Sequence, residues 1–212
     1  MKKGILAIKV LDRLRPTIRE GRFADVCQLL ESEIESALAR RRRFDAAVLS
    51  SVLGSFLAVM GKIQEGLSAH LRAESIDPAE PQHAIAIARY LLDILGDVES
   101  AYGKVEELSR RKIKDPKALY DMATIRGICA TRSGLIPEGV LQLDASLEMA
   151  TKGNLPTVSW SLELVEELSA HTAAVTACQS YLDEALRRSE EEGDSISAER
   201  SREILKELRG AH

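Results

Sequence analysis

The chain has 212 residues, of which 45% are apolar and 4% aromatic, and its formal net charge is −4. This apolar content is enough for a hydrophobic core and excludes a disordered chain. The charged residues make up 29% and carry both signs throughout the sequence, which excludes a general attraction to nucleic acid or to a membrane surface.

Apolar residues recur at steps of three and four along almost the whole chain, and the alternation typical of strands is absent. This pattern predicts an all-α protein. Glycines, prolines and charged turns divide the chain into segments of helical length. We predict eleven helices, in chain order at 4–19, 23–41, 44–59, 63–76, 81–95, 98–113, 117–132, 136–151, 157–169, 172–190 and 196–209. The short connections between them favour antiparallel hairpins.

Glycines recur between these helices at a nearly regular period. Gly21, Gly61, Gly96 and Gly134 are separated by 40, 35 and 38 residues. A period of this size is typical of solenoids built from helix pairs.

Two stretches, LGSFLAVMG and RGICATRSG, each contain two glycines seven residues apart within or next to a predicted helix. We expect the first glycine of each pair, Gly54 and Gly127, to let two helix backbones approach closely. We expect the second, Gly61 and Gly134, to end a helix in the left-handed conformation. Gly96 is expected to form the same kind of turn.

The segment LGSFLAVMGKIQEGLSAHLRAESIDP resembles a tetratricopeptide repeat in the types of residue that it contains and in their spacing. The matching residues are Leu53, Gly54, Leu57, Gly61, Gly66, His70, Ala73 and Pro78. A more degenerate match runs through Arg126, Gly127, Ala130, Gly134, Gly139 and Leu143. The resemblance implies one domain, 1–212, folded as a right-handed α-solenoid of antiparallel helix hairpins. Its repeats are expected near 7–43, 47–80, 82–116, 120–154 and 155–190, followed by a capping helix at 195–209 that covers the last apolar face.

Members of this family usually hold a peptide or a helix on the concave surface formed by the first helix of each pair. The resemblance therefore implies an adaptor without enzymatic activity that binds another protein. The implied contact residues on these helices are Ser51, Ser55, Ala58, His83, Tyr90, Asp93, Asp121, Thr124, Ile128, Thr131 and Arg132. Tyr90 is the best anchor among them, because tyrosine is enriched in the residues that dominate binding energy.

Self-association is the alternative function. The first predicted helix is rich in apolar residues, which are Ile5, Leu6, Ile8, Leu11 and Leu14. Pairing of this helix between copies of the chain would give an oligomeric scaffold.

A third function, RNA binding, depends on the arginine run at Arg40, Arg41, Arg42 and Arg43. Such a run can form an anion-binding patch. It is also typical of a helix end, where cations complement the helix dipole. We prefer the helix-end interpretation and expect no nucleic-acid partner.

Recognisable catalytic or cofactor-binding patterns are absent from the sequence. The histidines lack the H-E-x-x-H spacing, and the segment 96–104 has the wrong glycine spacing for a phosphate-binding loop. Cys27, Cys129 and Cys178 lie far apart, which predicts neither a disulfide framework nor a zinc site. We therefore predict a protein without catalytic residues, metal or cofactor. Cysteine usage and the absence of a long apolar segment favour a cytoplasmic location, without contact with a membrane.

Overall fold

The structure, a computed structural model, describes residues 4–210, and this range contains helices joined by turns and no strand. Its α-helices are α1 (Ile5–Arg19), α2 (Phe23–Ala39), α3 (Arg43–Val59), α4 (Ile63–Ile76), α5 (Pro81–Asp93), α6 (Val98–Ser109), α7 (Pro116–Arg132), α8 (Ile136–Lys152), α9 (Glu163–Ser169), α10 (Val175–Glu192) and α11 (Ser195–Gly210). Single 3-10 turns precede α9 and α10, at Thr157–Ser159 and Thr172–Ala174. The prediction of eleven helices is confirmed. None of the described helices combines the length and apolar character needed to cross a lipid bilayer.

The chain divides into two compact units, Met1–Gly96 and Asp97–His212. In the first unit, α2 packs along α3 and α3 along α4. In the second unit, α7 packs along α8 and α10 along α11. The division falls within the predicted repeat 82–116, and the assignment of one domain and five repeats stays a prediction.

Most of the turns between successive helices share one hydrogen-bonding pattern. In the turn after α3, Gly61 N donates to Ala58 O and Lys62 N donates to Leu57 O, both at 2.9 Å. Such a pair of bonds satisfies carbonyls at the helix end and requires a left-handed residue. Gly61 supplies it, with φ of 75°.

The same turn follows α1, α2, α7, α8 and α10. Glycine is the left-handed residue in three of them, but Arg41 and Asn154 take this place after α2 and α8, with φ of 57° and 47°. Because a Cβ atom is disfavoured in the left-handed region, these two turns store backbone strain.

Glycines inside the helices mark places where two elements meet closely. A Cβ atom on Gly54 would lie 2.6 Å from His70 Cδ2 and 2.8 Å from the carbonyl oxygen of Gly66. A Cβ atom on Gly127 would overlap the Cδ2 methyl of Leu164, which belongs to α9. At both glycines these contacts leave no room for a Cβ atom, so the close approach of the two elements depends on glycine.

The first helix is held to its unit by apolar contacts and by a cap. Ala7, Val10 and Leu14 are buried in the core of the unit Met1–Gly96. The N-terminal turn of α1 has no cap from its own sequence, but Ala7 N donates to Asp45 Oδ1 of α3 at 3.1 Å. A carboxylate that accepts from the first turn of a helix stabilises that helix end.

The prediction of one helix at 157–169 is wrong. The backbone is extended at Trp160, and α9 begins only at Glu163. Ser161 N donates to Tyr120 Oη at 2.5 Å, and Tyr120 Oη lies 2.8 Å from Tyr181 Oη. These hydroxyls hold the backbone of Ser161 from two other helices, and the hydrogen bonds of a continuous helix are lost here.

The predicted capping helix is confirmed as α11. It packs along α10 and buries Ala198, Ile204, Leu205 and Leu208, whereas Arg202, Glu203, Lys206 and Glu207 are exposed. A polar outer face is what the terminal element of a solenoid requires.

Candidate functional site

A surface groove of about 480 Å³ runs between α3 and α5 in the first unit. We call it the α3–α5 groove. Its lining residues come from α3, α4 and α5 and from the residue that follows α5. They are Ser51, Ser55, Ala58, Val59, His70, Ala86, Arg89, Tyr90, Asp93 and Ile94.

His70 and Tyr90 form the inner wall of this groove. His70 Nδ1 lies 3.1 Å from Ser51 Oγ, and the rings of His70 and Tyr90 are 5.1 Å apart. Tyr90 Oη donates to Ile63 O at 2.8 Å. Burial lowers the pKa of His70 to about 4 and raises the pKa of Tyr90 above its usual value. Both side chains are therefore uncharged at neutral pH.

The edges of the groove are apolar and exposed. Val59 is 66% exposed and Ile94 is 47% exposed. Arg89 Nη1 and Asp93 Oδ2 are 3.7 Å apart at the rim, so the one basic and one acidic lining residue pair with each other. The groove thus offers an apolar surface with little net charge, which suits an apolar side chain with hydrogen-bonding neighbours.

Comparison with known proteins gives matches only at the level of structure. No family model matches the sequence, and no curated protein shows significant similarity to it. The chain is similar to the solved structure of a MamA RS-1 ArsTM double mutant, with a TM-score of 0.52 and 13% identity over 99% of this chain and 98% of the other. It is also similar to PilW, a type IV pilus biogenesis factor, with a TM-score of 0.54 and 14% identity over 95% and 93% of the two chains.

Both neighbours are helical solenoids of the tetratricopeptide type. The chain has a tetratricopeptide-like fold. Identities of 13% and 14% support the fold assignment and nothing finer. The fold predicted from the residues Leu53–Pro78 is confirmed.

Five of the predicted contact residues meet in the tetratricopeptide-like first unit. All five line the α3–α5 groove, and they are Ser51, Ser55, Ala58, Tyr90 and Asp93. His83 does not line it: this side chain is only 4% exposed, and its Nε2 atom has no hydrogen-bond partner among the described residues.

The predicted contact residues of α7 are mainly interior. Ile128 and Thr124 are 0% and 1% exposed, and Thr124 Oγ1 donates to Tyr120 O. Thr131 Oγ1 donates to Gly127 O, and this side chain is 6% exposed. These three side chains fill the interior of the second unit, so the expectation that they face a partner needs correction.

The remaining two predicted residues of α7 are held in ion pairs. Asp121 is buried and pairs with Lys117. Arg132 Nη2 lies 2.7 Å from Glu167 Oε1 of α9. Neither residue lies on the α3–α5 groove.

Val59 and Ile94 are groove residues that sequence reasoning missed. Val59 follows Ser55 by four residues, and Ile94 follows Tyr90 by four residues. Because residues four apart share one face of a helix, this spacing was sufficient to find both.

The arginine run forms the turn between α2 and α3. Arg43 begins α3, and its Nε and Nη2 atoms donate to Ile76 O at 2.8 and 2.5 Å, which satisfies a carbonyl at the end of α4. The nearby basic residues Arg13 and Arg22 pair with Glu33 and Asp25. These pairs reduce the positive charge available to an anion.

Proposed function

We propose that the chain is a non-enzymatic adaptor that binds a peptide or helix of another protein in the α3–α5 groove. The observation that carries this proposal is the convergence of five predicted contact residues with the exposed Val59 and Ile94 on one groove. Apolar side chains next to fixed polar groups are typical of protein-binding surfaces. The tetratricopeptide type of the structural neighbours supports a protein partner in general.

A cytoplasmic location belongs to the same proposal. Cys27, Cys129 and Cys178 are all free thiols in the structure. Free cysteines in this number suit a reducing compartment.

Self-association through α1 receives less support from the structure. Leu14 is buried, and Leu6 and Leu11 pack against the core of the same unit. Ile8 is 61% exposed, whereas the side chain of Ile5 lies outside the described part of the chain. One exposed isoleucine offers little of the apolar area that a stable dimer needs.

RNA binding through Arg40–Arg43 remains a third proposal with a simple test. A contact with phosphate groups weakens steeply as the salt concentration rises. Salt-sensitive retardation of an RNA probe in a gel would support it, and the absence of retardation at low salt would remove it.

The adaptor proposal is tested by affinity capture from the native cell with quantitative mass spectrometry. The double variant Val59→Glu/Ile94→Glu places two charges on the groove edges. The control variant Leu29→Glu/Leu71→Glu makes the same changes at side chains of the same unit that are each 47% exposed and do not line the groove. We expect the partner to be lost with the groove variant and retained with the control.

Retention of the same proteins by wild type and both variants would contradict the proposal. Melting curves for each variant are recorded first, because exposed side chains can be changed with little effect on stability. A photo-crosslinking residue at Ser55, compared with one at Ser68 of α4, then reports directly whether the captured protein lies in the groove.

A further inference from the structure

A second groove, of about 410 Å³, lies in the unit Asp97–His212. We call it the α9–α11 groove, because residues at the start of α9 and of α11 form its two walls. Trp160 and Leu162 contribute apolar surface from one wall, Ile196 from the other, and Ala185 of α10 from beneath. The other lining residues are polar or charged, so the groove offers an aliphatic and aromatic surface within a polar lining, which suits an amphipathic partner segment.

The α11 wall of this groove exposes a large aliphatic side chain, because Ile196 is 80% exposed. Val158, which follows the lining residue Thr157 in sequence, is 76% exposed. Thr157 Oγ1 lies 2.9 Å from Glu192 Oε2 and 3.3 Å from Asp194 Oδ2, so the segment with Val158 is held against the start of α11. The carboxylates of Glu192 and Asp194 therefore lie beside the groove-lining residue Thr157.

The charge beside Thr157 is negative. Glu192 and Asp194 accept hydrogen bonds from Thr157, and neither forms an ion pair with lysine or arginine in the part of the chain that the structure describes. Glu166 differs, because it pairs with Arg200 at 2.5 Å. The pKa of Asp194 is lowered, and the main cause is its hydrogen bonds with Ser197. This carboxylate therefore stays charged at neutral pH.

Other charged groups around the groove are compensated by partners. Glu163 faces Arg132 at 3.7 Å. Arg188 lies over the ring of Trp160 and pairs with Glu184 at 2.9 Å. Glu192 and Asp194 therefore differ in having no lysine or arginine partner among the described residues, and both bond to Thr157 of the groove lining.

Ser201 adds an unsatisfied polar atom to the groove wall. It is 1% exposed and lines the groove, yet its Oγ has no hydrogen-bond partner among the described residues. Other buried helical serines behave differently: Ser50 and Ser189 each donate to the carbonyl four residues earlier. A buried hydroxyl without a partner is uncommon and is satisfied when a bound molecule supplies one.

We propose that the α9–α11 groove binds a segment of a partner protein in which an aliphatic side chain is flanked by lysine or arginine. The aliphatic side chain contacts Ile196 and Trp160, and the cations pair with Glu192 and Asp194. This site is separate from the α3–α5 groove, and the inference does not depend on the function proposed there. The expected partner chemistry also differs, because the α3–α5 groove carries a paired arginine and aspartate.

Trp160 makes the proposal directly measurable. It is the single tryptophan of the chain, and it lines this groove. The probe is a synthetic, tryptophan-free peptide of about twelve residues with two leucines among lysines, titrated at low salt. We expect a saturable change in Trp160 fluorescence that weakens with added salt. The matched peptide with glutamate in place of lysine is expected to cause no change.

Two variants assign the contacts. Ile196→Ser is expected to raise the dissociation constant about tenfold, because an exposed isoleucine that becomes buried on binding contributes strongly. Glu192→Gln/Asp194→Asn keeps the hydrogen-bond acceptors but removes the charges, and is expected to raise it about threefold to tenfold. The controls are Val59→Ser, in the other groove, and Glu31→Gln/Glu35→Gln on α2, and both are expected to bind the probe as wild type does.

The opposite results overturn the proposal. It fails if the lysine peptide leaves Trp160 fluorescence unchanged, or if the glutamate peptide binds equally well. It also fails if the controls weaken binding as much as the groove variants do. Circular dichroism confirms that each variant is folded before the titration. A failure here leaves the α3–α5 proposal intact, because the variants that test the two grooves do not overlap.

Discussion

The hairpins α3–α4 and α7–α8 contain the same pair of glycine positions but use the space differently. Gly54 lies against the ring of His70 and the backbone of Gly66, both in its own hairpin. Gly127 instead makes room for the side chain of Leu164 from the following helix. The glycine at this position therefore allows a neighbouring element to approach the helix closely. The side chain that fills the space beside the glycine determines the local chemistry.

The chemistry of the two units differs accordingly. In the first unit a histidine and a tyrosine form the wall of the α3–α5 groove. At the position that corresponds to His70, the second unit has the buried Leu143. Its polar aromatic contacts lie elsewhere, where Tyr120 and Tyr181 meet at 2.8 Å.

The largest expected difference between the hairpins comes from filling the glycines. Gly54→Ala is expected to destabilise the fold by about 3 kcal/mol, because its Cβ would meet the Gly66 backbone, which has little freedom to move. Gly127→Ala is expected to cost about 1 kcal/mol, because the methyl of Leu164 can shift. Urea unfolding of both variants measures the difference. Equal losses would mean that both sites accommodate a methyl group in the same way.

Acid is expected to weaken the first unit through His70. Its pKa of about 4 in the folded state lies below the ordinary value of 6.5, so the folded protein binds fewer protons than the unfolded chain. Above pH 6.5 His70 is neutral in both states and does not lower the free energy of unfolding. As the pH falls from 6.5 toward 4, the unfolded chain takes up the proton first, and the free energy of unfolding decreases. This decrease is about 2 kcal/mol after allowance for solvent screening.

The measurement is urea unfolding at pH 7.5 and pH 4.5 for wild type and His70→Gln. The variant is expected to lose less stability between the two pH values, because glutamine does not titrate. Leu29→Gln, which changes an exposed side chain of the same unit that does not titrate, serves as the control and is expected to retain the wild-type pH dependence. Identical pH dependence in His70→Gln and wild type would contradict the role of His70.

Removing tyrosine hydroxyls is expected to affect the second unit more than the first. Tyr120→Phe leaves Ser161 N without its acceptor and is expected to cost about 2 kcal/mol. Tyr90→Phe removes one hydrogen bond to Ile63 O and is expected to cost about 1 kcal/mol. Thermal unfolding of the two variants tests which substitution lowers the stability more. A greater loss of stability in Tyr90→Phe than in Tyr120→Phe would contradict this prediction.

The smallest expected effects are at the two strained turns. Arg41→Gly is expected to stabilise the protein by about 0.5 kcal/mol, because the loss of the Cβ penalty in the left-handed conformation outweighs the larger backbone entropy that glycine loses on folding. Asn154→Gly is expected to gain only about 0.3 kcal/mol, since asparagine tolerates this conformation better. Melting temperatures of the two variants, with Gly61→Ala as a destabilising reference, provide the check.

Much of the fold follows from local sequence signals. Helix positions depend on apolar spacing at three and four residues, and turns such as that at Gly61 depend on a residue that accepts positive φ. Both signals lie within a few residues of the feature that they specify. Most helix limits and the capping helix α11 were therefore predictable, and part of the α3–α5 groove followed from helix periodicity.

The sequence by itself determined the number of helices, their turns and the tetratricopeptide-like repeat. Tertiary structure decided the break at Trp160–Leu162, because the hydroxyls that hold Ser161 belong to Tyr120 and Tyr181, 41 and 20 residues away. It also decided that Thr124 and Ile128 are interior, since exposure of a helix face depends on which helices cover it. Periodicity identifies the residues that share a face, whereas only the assembled unit determines whether that face is open to a partner.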